Sequence, residues 1–150
     1  MQSIIQYIIY KCIQYNFSTM DEQEKNEIFR FRNFPVYKES RIFRFQLKTY
    51  SKKHFPKEEQ YNLTSQLWRS LDSILLNIAE GTDRYSGKSN SNFLNIAIGS
   101  LDEVVGCIDA AYDDGYMAKE QQMIFLTNAE QIMRQLKALC SAIRKNKRSN

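Results

Sequence analysis

The chain has 150 residues, a length that suits one compact domain, and 43% of them are hydrophobic, which is enough to bury a core. Its formal net charge of +4 is mild and gives only a weak bias toward anionic partners such as nucleic acid. The widely spaced Cys12, Cys107 and Cys140 exclude a disulfide framework and a CxxC zinc site, and the single histidine, His54, argues against metal catalysis.

The N-terminal stretch, residues 1–32, precedes the regular part of the sequence, and we predict that it is an extension of the domain. Its apolar start, MQSIIQYIIYKCIQYNF, is shorter than the roughly 20 apolar residues that span a bilayer. It also lacks the basic start and small-residue cleavage site of a signal peptide. We therefore expect a cytoplasmic protein with no membrane partner. Residues 1–19 are either an extra helix or strand, or translated upstream sequence before a true start at Met20.

Residues 33–146 contain four blocks in which apolar residues recur at helical spacing. Steps of three and four residues are typical of helices packed nearly parallel or antiparallel to their neighbours. No alternating strand pattern of useful length intervenes. The four stripes are Val36, Phe43, Leu47 and Tyr50; Thr64, Leu67, Leu71, Ile74 and Ile78; Phe93, Ala97, Ser100, Val104, Ile108 and Ala111; and Phe125, Ala129, Ile132, Leu136, Leu139 and Ile143.

The breaks between these blocks agree with four helices. Pro56 must end the first helix, Gly81 is predicted to cap the second in the left-handed conformation, and Gly115 in DDGY ends the third. Short connections force neighbouring helices to be antiparallel. We therefore predict an all-α fold, an antiparallel up-down-up-down four-helix bundle over residues 33–146, followed by a basic tail, residues 147–150.

Between the second and third helices, Gly81 and Gly87-Lys88-Ser89 contain the ingredients of a phosphate-binding loop. The spacing is wrong, because five residues separate the glycines and the motif requires four. The motif also follows a strand, whereas a helix is predicted here. The segment is therefore interpreted as an interhelical turn, and we expect neither a cofactor nor a catalytic residue.

Asn77 and Glu80 are polar residues in the last predicted turn of an otherwise apolar helix. An acid at this position opposes the helix dipole, which favours positive charge at a C-terminus. Arg69 is too far along the helix to contact Glu80 directly. Two interpretations remain open: a solvated terminal turn, or a buried polar anchor that sets the register of the bundle.

Charge is unevenly distributed along the chain. The segment from Arg30 to Lys57 has nine basic residues and one acid, whereas the segment from Asp102 to Glu120 has six acids and one lysine. The basic stripe is interpreted in three ways: a solvated face, a nucleic-acid-binding surface, or a contact with the acidic third helix of another copy. At 100° per residue, one side of the first helix, opposite its apolar stripe, carries Lys38, Arg41, Arg44, Lys48 and Lys52.

Glycine is unfavourable inside a helix, so Gly99 and Gly106, one heptad apart in the third helix, suggest a close approach by a neighbouring helix. Accidental spacing is the other interpretation. Phe45 lies off the main apolar stripe of the first helix, and Trp68 lies beside a core position of the second. A single copy would leave both in water, so we predict that they belong to a subunit interface.

Several motifs, in the expected order, resemble a known family: FPKEEQYNLTSQLWRS, NIAEG, FLNIAIGSLDE and DDGY. The sequence is similar to the four-helix-bundle proteins encoded in intervening sequences of bacterial large-subunit (23S) ribosomal RNA genes, and to the accessory proteins of diversity-generating retroelements. The resemblance covers roughly residues 33–145. The family's Asn-Ile-Ala-Glu-Gly matches Asn77 to Gly81, and its Leu-Thr-Ser-Gln-Leu matches Leu63 to Leu67.

The resemblance implies a homopentamer without enzymatic activity, and, for the retroelement relatives, RNA or DNA binding on a basic surface with a reverse transcriptase or other element-encoded protein as partner. Two departures weaken the nucleic-acid expectation: Trp68 stands where the family usually has a basic residue, and Thr82 and Asp83 begin a segment that is often more basic. Two other classes stay open. One is a structural interaction module, and the other is a ribonuclease of the HEPN type, for which His54 lies too far from Arg44.

Overall fold

The computed structural model describes residues 29–83 and 87–146, and in this part of the chain all regular structure is helical. The all-α prediction is therefore confirmed. The predicted element over residues 1–19 and the tail, residues 147–150, lie outside the described residues. The α-helices are α1 (Pro35–His54), α2 (Leu63–Asp83), α3 (Gly87–Asp113) and α4 (Lys119–Asn146), and the 3₁₀ helices Arg30–Asn33 and Lys57–Tyr61 precede α1 and α2.

Two contacts between α1 and α4 show the relative direction of these helices. Gln135 Nε2 donates a hydrogen bond to Glu39 in the first half of α1. Phe125, ten residues earlier in α4, packs edge-on against Tyr50 near the end of α1, with ring centroids 5.6 Å apart. The two helices are therefore antiparallel.

The four helices are arranged so that α1 and α3 occupy diagonal corners. α1 packs against α2 and α4, and α3 packs against the same two helices. α2 and α3 are also antiparallel, because Ser70 bonds to Glu103 whereas Ser73 bonds to Ser100. The structure thus has the predicted four-helix-bundle architecture, and the outer faces of α1 and α3 lie on opposite sides of it.

The core follows the apolar stripes read from the sequence. Leu47, Leu67 and Leu136 have no exposed surface. The stripe of α3 is broader than predicted, because Leu94 and Leu101 are also fully buried. The hydrophobic effect that drives this burial contributes roughly 25 cal/mol for each Å² of apolar surface removed from water.

The end of α3 confirms the predicted role of Gly115. This glycine has a φ of +78°, in the left-handed region that residues with a side chain rarely adopt. The Tyr116 N–H donates to the Ala111 carbonyl at 2.8 Å, and the Gly115 N–H donates to the Tyr112 carbonyl at 3.0 Å. This pair of bonds is the Schellman motif, which satisfies carbonyls left open at the helix end and turns the chain into α4.

Gly81 does not cap α2, so that prediction is wrong. The helix continues through Gly81 to Asp83, and among the described glycines only Gly115 has a positive φ. Gly81 is buried against α3, and a Cβ atom there would lie 3.0 Å from Leu94 Cγ and 3.1 Å from the Asn90 carbonyl oxygen. A methyl group at this position would need Leu94 or the Asn90 backbone to move by a few tenths of an ångström, so the close contact with α3 favours glycine.

We expect Gly81→Ala to lower the free energy of unfolding by about 1–2 kcal/mol, because the added methyl group must displace Leu94 or the α3 backbone. Ser141→Ala is the control for helix propensity, since Ser141 is exposed in α4 and lies outside every contact proposed below. That change should raise stability by roughly 0.5 kcal/mol. Urea denaturation at equal protein concentration measures both. Equal stabilisation by the two changes would contradict the close approach.

Candidate functional site

The five basic residues predicted to form one solvent-facing stripe on α1 fall into two groups. Lys48 Nζ lies 2.9 Å from each carboxylate oxygen of Asp72 on α2, and Arg44 Nε also bonds to Asp72. Arg44 and Lys48 therefore lie at the boundary between α1 and α2, and not opposite the apolar stripe as predicted. Lys38, Arg41 and Lys52 are exposed on the outer side of α1.

Trp68 of α2 is held against α1 by a hydrogen bond and by two cations. Its indole Nε1–H donates to Ser51 Oγ at 2.9 Å. Lys48 Nζ and Lys52 Nζ lie 5.1 Å and 5.2 Å from the ring centroid, within the range of a cation–π interaction. Trp68 is half-buried within one chain, so the expectation that a single copy leaves it in water is wrong. Its role in a subunit interface stays a prediction.

Asp72 is the electrostatic centre of this α1–α2 contact. Partial burial by itself would raise the pKa of Asp72, but hydrogen bonds from Lys48 and Arg44, together with their positive charges, outweigh it and hold the pKa below its ordinary value of 3.8. The carboxylate therefore stays ionised and neutralises part of the basic stripe. Asp72 could not be predicted as this partner from the sequence, because the pairing depends on the register between two helices.

The outer face of α1 combines exposed apolar groups with positive charge. Phe45 is 57% exposed and Ile42 is 45% exposed. Arg41 precedes Phe45 by four residues, and Lys38 and Lys52 lie seven residues to either side, so all of them share one side of the helix. We call this set, Lys38, Arg41, Ile42, Phe45 and Lys52, the α1 face.

The outer face of α3 is acidic and has little side-chain bulk. Gly99 and Gly106 are exposed, and a Cβ at either would meet nothing within 4 Å. The predicted close approach to these glycines is therefore not made within the chain. Asp102 is exposed between them, three residues after one and four residues before the other, and Asp113 continues the acidic side. We call this set, Gly99, Asp102, Gly106 and Asp113, the α3 face.

A row of polar contacts joins α2 to α3. Ser70 Oγ donates to Glu103 Oε2 at 2.7 Å, and the Ser73 and Ser100 hydroxyls are 2.8 Å apart. Asn77 Nδ2 donates to the Ser73 carbonyl at 2.8 Å. Asn77 is therefore tied to its own helix, and the link across to α3 is made one turn earlier by the serines.

Arg69 and Glu80, the other polar residues of α2 that the sequence singled out, lie beside these contacts. Arg69 Nη2 donates to Gln66 Oε1 at 2.9 Å, so it bonds within its own helix. Glu80 is half-buried near the end of α2. Whether Glu80 sets the register stays a prediction, whereas the serine contacts that cross between the helices were missed by the sequence analysis.

The described cysteines and the histidine, residue types that often act in catalysis, are buried or packed against other side chains. Cys107 and Cys140 are buried, and burial raises the pKa of both thiols. His54 stacks on Tyr50 with ring centroids 4.2 Å apart. Within residues 29–83 and 87–146, no three His, Cys, Asp or Glu side chains are grouped so that they could hold a metal ion. No helix in these ranges is long and apolar enough to cross a membrane.

The family assignment comes from a match between the chain and a family model. Residues 32–138 match the model of the 23S rRNA-intervening sequence protein family, and this range includes α1, α2, α3 and most of α4. The chain belongs to this family. The match also contains the NIAEG segment, whose Gly81 makes the close contact with α3. Comparison with curated proteins gave no match.

A solved structure from Bacteroides thetaiotaomicron VPI-5482 has a similar fold. It is described as a protein with unknown function from the S23 ribosomal protein family. The two chains superpose with a TM-score of 0.63 at 23% sequence identity, over 71% of this chain and 95% of the other. At 23% identity, this similarity shows that the two proteins share a fold, and it carries no further conclusion.

The Asp72 contact leads to a pH-dependent prediction. Because the folded-state pKa of Asp72 is depressed, its ionised form stabilises the fold above the ordinary value of 3.8, and this contribution is lost as pH falls through the folded-state pKa. Asp72→Asn should therefore lower the free energy of unfolding at pH 7, by at most about 1 kcal/mol since the site is partly exposed. The difference from wild type should shrink as pH falls below 3.8, and it should also shrink in 1 M salt.

The measurement is urea denaturation of both proteins across this pH range. Glu130→Gln is the control, because Glu130 forms an exposed pair with Arg134 one turn away in α4. A difference for Asp72→Asn that is equal at pH 7 and pH 2 would contradict an ionic contribution from Asp72.

Proposed function

We propose that this family member is a non-enzymatic four-helix bundle that works as a homo-oligomer, with five copies as the number that the family resemblance implies. The observation that carries the proposal is the α1 face. Phe45 and Ile42 expose large apolar surfaces on the outer side of a well-packed bundle. Adjacent exposed apolar groups with a polar rim are typical of a surface that another protein covers.

Other exposed apolar side chains support the same proposal. Leu76 is 70% exposed on α2, and Met123 and Ile124 are adjacent and exposed at the start of α4. Each copy therefore has exposed apolar side chains on more than one helix, and these could be covered by contact with other copies. The cytoplasm stays the predicted location.

The surroundings of the reactive side chains support a non-enzymatic role. A catalytic thiol must form the thiolate readily, and burial of Cys107 and Cys140 opposes this. A HEPN-type nuclease would need His54 beside an arginine on one helix, whereas the ring of His54 stacks on Tyr50 at the end of α1.

A second candidate function is nucleic-acid binding by the basic side of α1, with RNA or DNA as partner. The observation that favours it is that Arg41 and Lys53 are exposed and have no acidic partner among the described residues. Arg144 and Lys145 near the end of α4 lie toward the same end of the bundle as the start of α1, because the two helices are antiparallel. A reverse transcriptase or other element-encoded protein stays a predicted partner.

Assembly is tested by size-exclusion chromatography with light scattering at micromolar concentration. We expect a mass several times 17.7 kDa, with about fivefold as the predicted value. Phe45→Ser should lower the mass, because it removes apolar surface from the proposed contact. Thr49→Ser, one turn further along α1, is the control and should not change it. A monomer at this concentration would overturn the homo-oligomer proposal.

Nucleic-acid binding is tested by filter retention of RNA and DNA at about 50 mM salt. Arg41→Gln with Lys52→Gln should weaken retention and reduce the logarithmic salt slope by up to about 0.9 for each lost phosphate contact. Arg44→Gln with Lys48→Gln removes the same charge from residues already paired with Asp72, and should have the smaller effect. No retention by the wild-type protein would exclude this candidate.

A further inference from the structure

The two faces defined above differ in charge and lie on opposite sides of one molecule. α1 and α3 each contact α2 and α4, so they stand at diagonal corners of the bundle. The α1 face is basic and the α3 face is acidic. A second copy can therefore present its α3 face to the α1 face of the first without either copy changing its fold.

The α1 face projects apolar bulk from a basic surround. Phe45 is the most exposed aromatic side chain on α1, and Ile42 lies next to it one turn earlier. Arg41 flanks both and has no acidic partner among the described residues. An apolar centre with a charged rim requires an occupant that covers the centre and supplies negative charge at the edge.

The α3 face has the complementary features. Gly99 and Gly106 have no side chain and open space around them, so another helix can lie close to the α3 backbone. The carboxylate of Asp102 stands between them. Its neighbour Glu103 is engaged by Ser70 of α2, so Asp102 is the acid turned toward an incoming copy.

We propose that the α1 face of one copy docks on the α3 face of a second copy, with Phe45 and Ile42 packed over Gly99 and Gly106 and with Arg41 paired to Asp102. The inference rests on the proposed homo-oligomer and identifies the surfaces that form it. The apolar centre favours this occupant over nucleic acid, whose backbone would satisfy Arg41 but would leave Phe45 and Ile42 poorly covered.

The contact is heterologous, because two different surfaces meet. Each added copy leaves one free α1 face and one free α3 face. Assembly therefore continues past a dimer until a ring closes, or forms an open filament if it does not close. An isologous dimer is not an expected product.

The charge pair is tested by reversal and exchange. Arg41→Glu alone and Asp102→Lys alone should each weaken self-association at least tenfold, measured by light scattering over a range of protein concentrations. The double variant Arg41→Glu/Asp102→Lys should restore assembly, because every copy then carries the exchanged charges on both faces. Circular dichroism checks that each variant stays helical. Failure of the double variant to recover, with helix content intact, would overturn the pairing.

The glycine surface is tested independently by added bulk. Gly106→Gln should preserve or raise the stability of the bundle, since glutamine is a better helix former and the site is open. It should nevertheless weaken self-association at least tenfold, because the side chain occupies the space of the second copy. Ala138→Gln on the exposed side of α4 is the matched control and should assemble like wild type.

The outcomes separate this inference from the proposed function. A monomeric wild-type protein overturns both. A wild-type oligomer that is unaffected by Arg41→Glu and by Gly106→Gln overturns only the docking of α1 on α3. A set of variants that keeps its mass but loses RNA or DNA retention with Arg41→Glu overturns the docking and assigns the α1 face to nucleic acid.

Discussion

The close approach of α2 and α3 at Gly81 is the constraint on which the arrangement of the bundle depends. A Cβ atom at Gly81 would lie only 3.0 Å from Leu94 Cγ and 3.1 Å from the Asn90 carbonyl oxygen, so α3 lies close to the α2 backbone here. In the register that accompanies this contact, Ser73 lies opposite Ser100. A one-residue shift would rotate each side chain by about 100° and break these pairs. Buried polar groups that must be satisfied therefore oppose any slippage.

The packing of α2 against its two neighbours decides which charges remain available on the surface. Glu103 turns toward α2 and bonds to Ser70, whereas Asp102, one residue earlier, is left on the outside. Where α2 contacts α1, Asp72 forms ion pairs with Arg44 and Lys48. Helix packing thus produces one basic outer face and one acidic outer face. The net charge of +4 does not reveal this uneven distribution.

Much of the fold could be read from the sequence, because the information is local. The apolar stripes of α1 and α2 become core residues such as Leu47 and Leu67, since burial follows the helical period. Gly115 was identified correctly as a helix end, since glycine readily adopts the left-handed conformation that ends a helix. The same reasoning was wrong for Gly81. Glycine is used either for a positive φ or for close approach, and sequence context alone did not distinguish the two.

By itself, the sequence determined the all-helical class, the apolar stripes and, through its motifs, the resemblance to the intervening-sequence proteins. These properties depend on residues that lie within a few turns of one another. Only the tertiary structure decided which basic residues of α1 stay exposed, how Trp68 is held, and that Gly99 and Gly106 face outward while Gly81 faces inward. Those outcomes depend on contacts between helices, such as Trp68 with Ser51, across a register that no single helix contains.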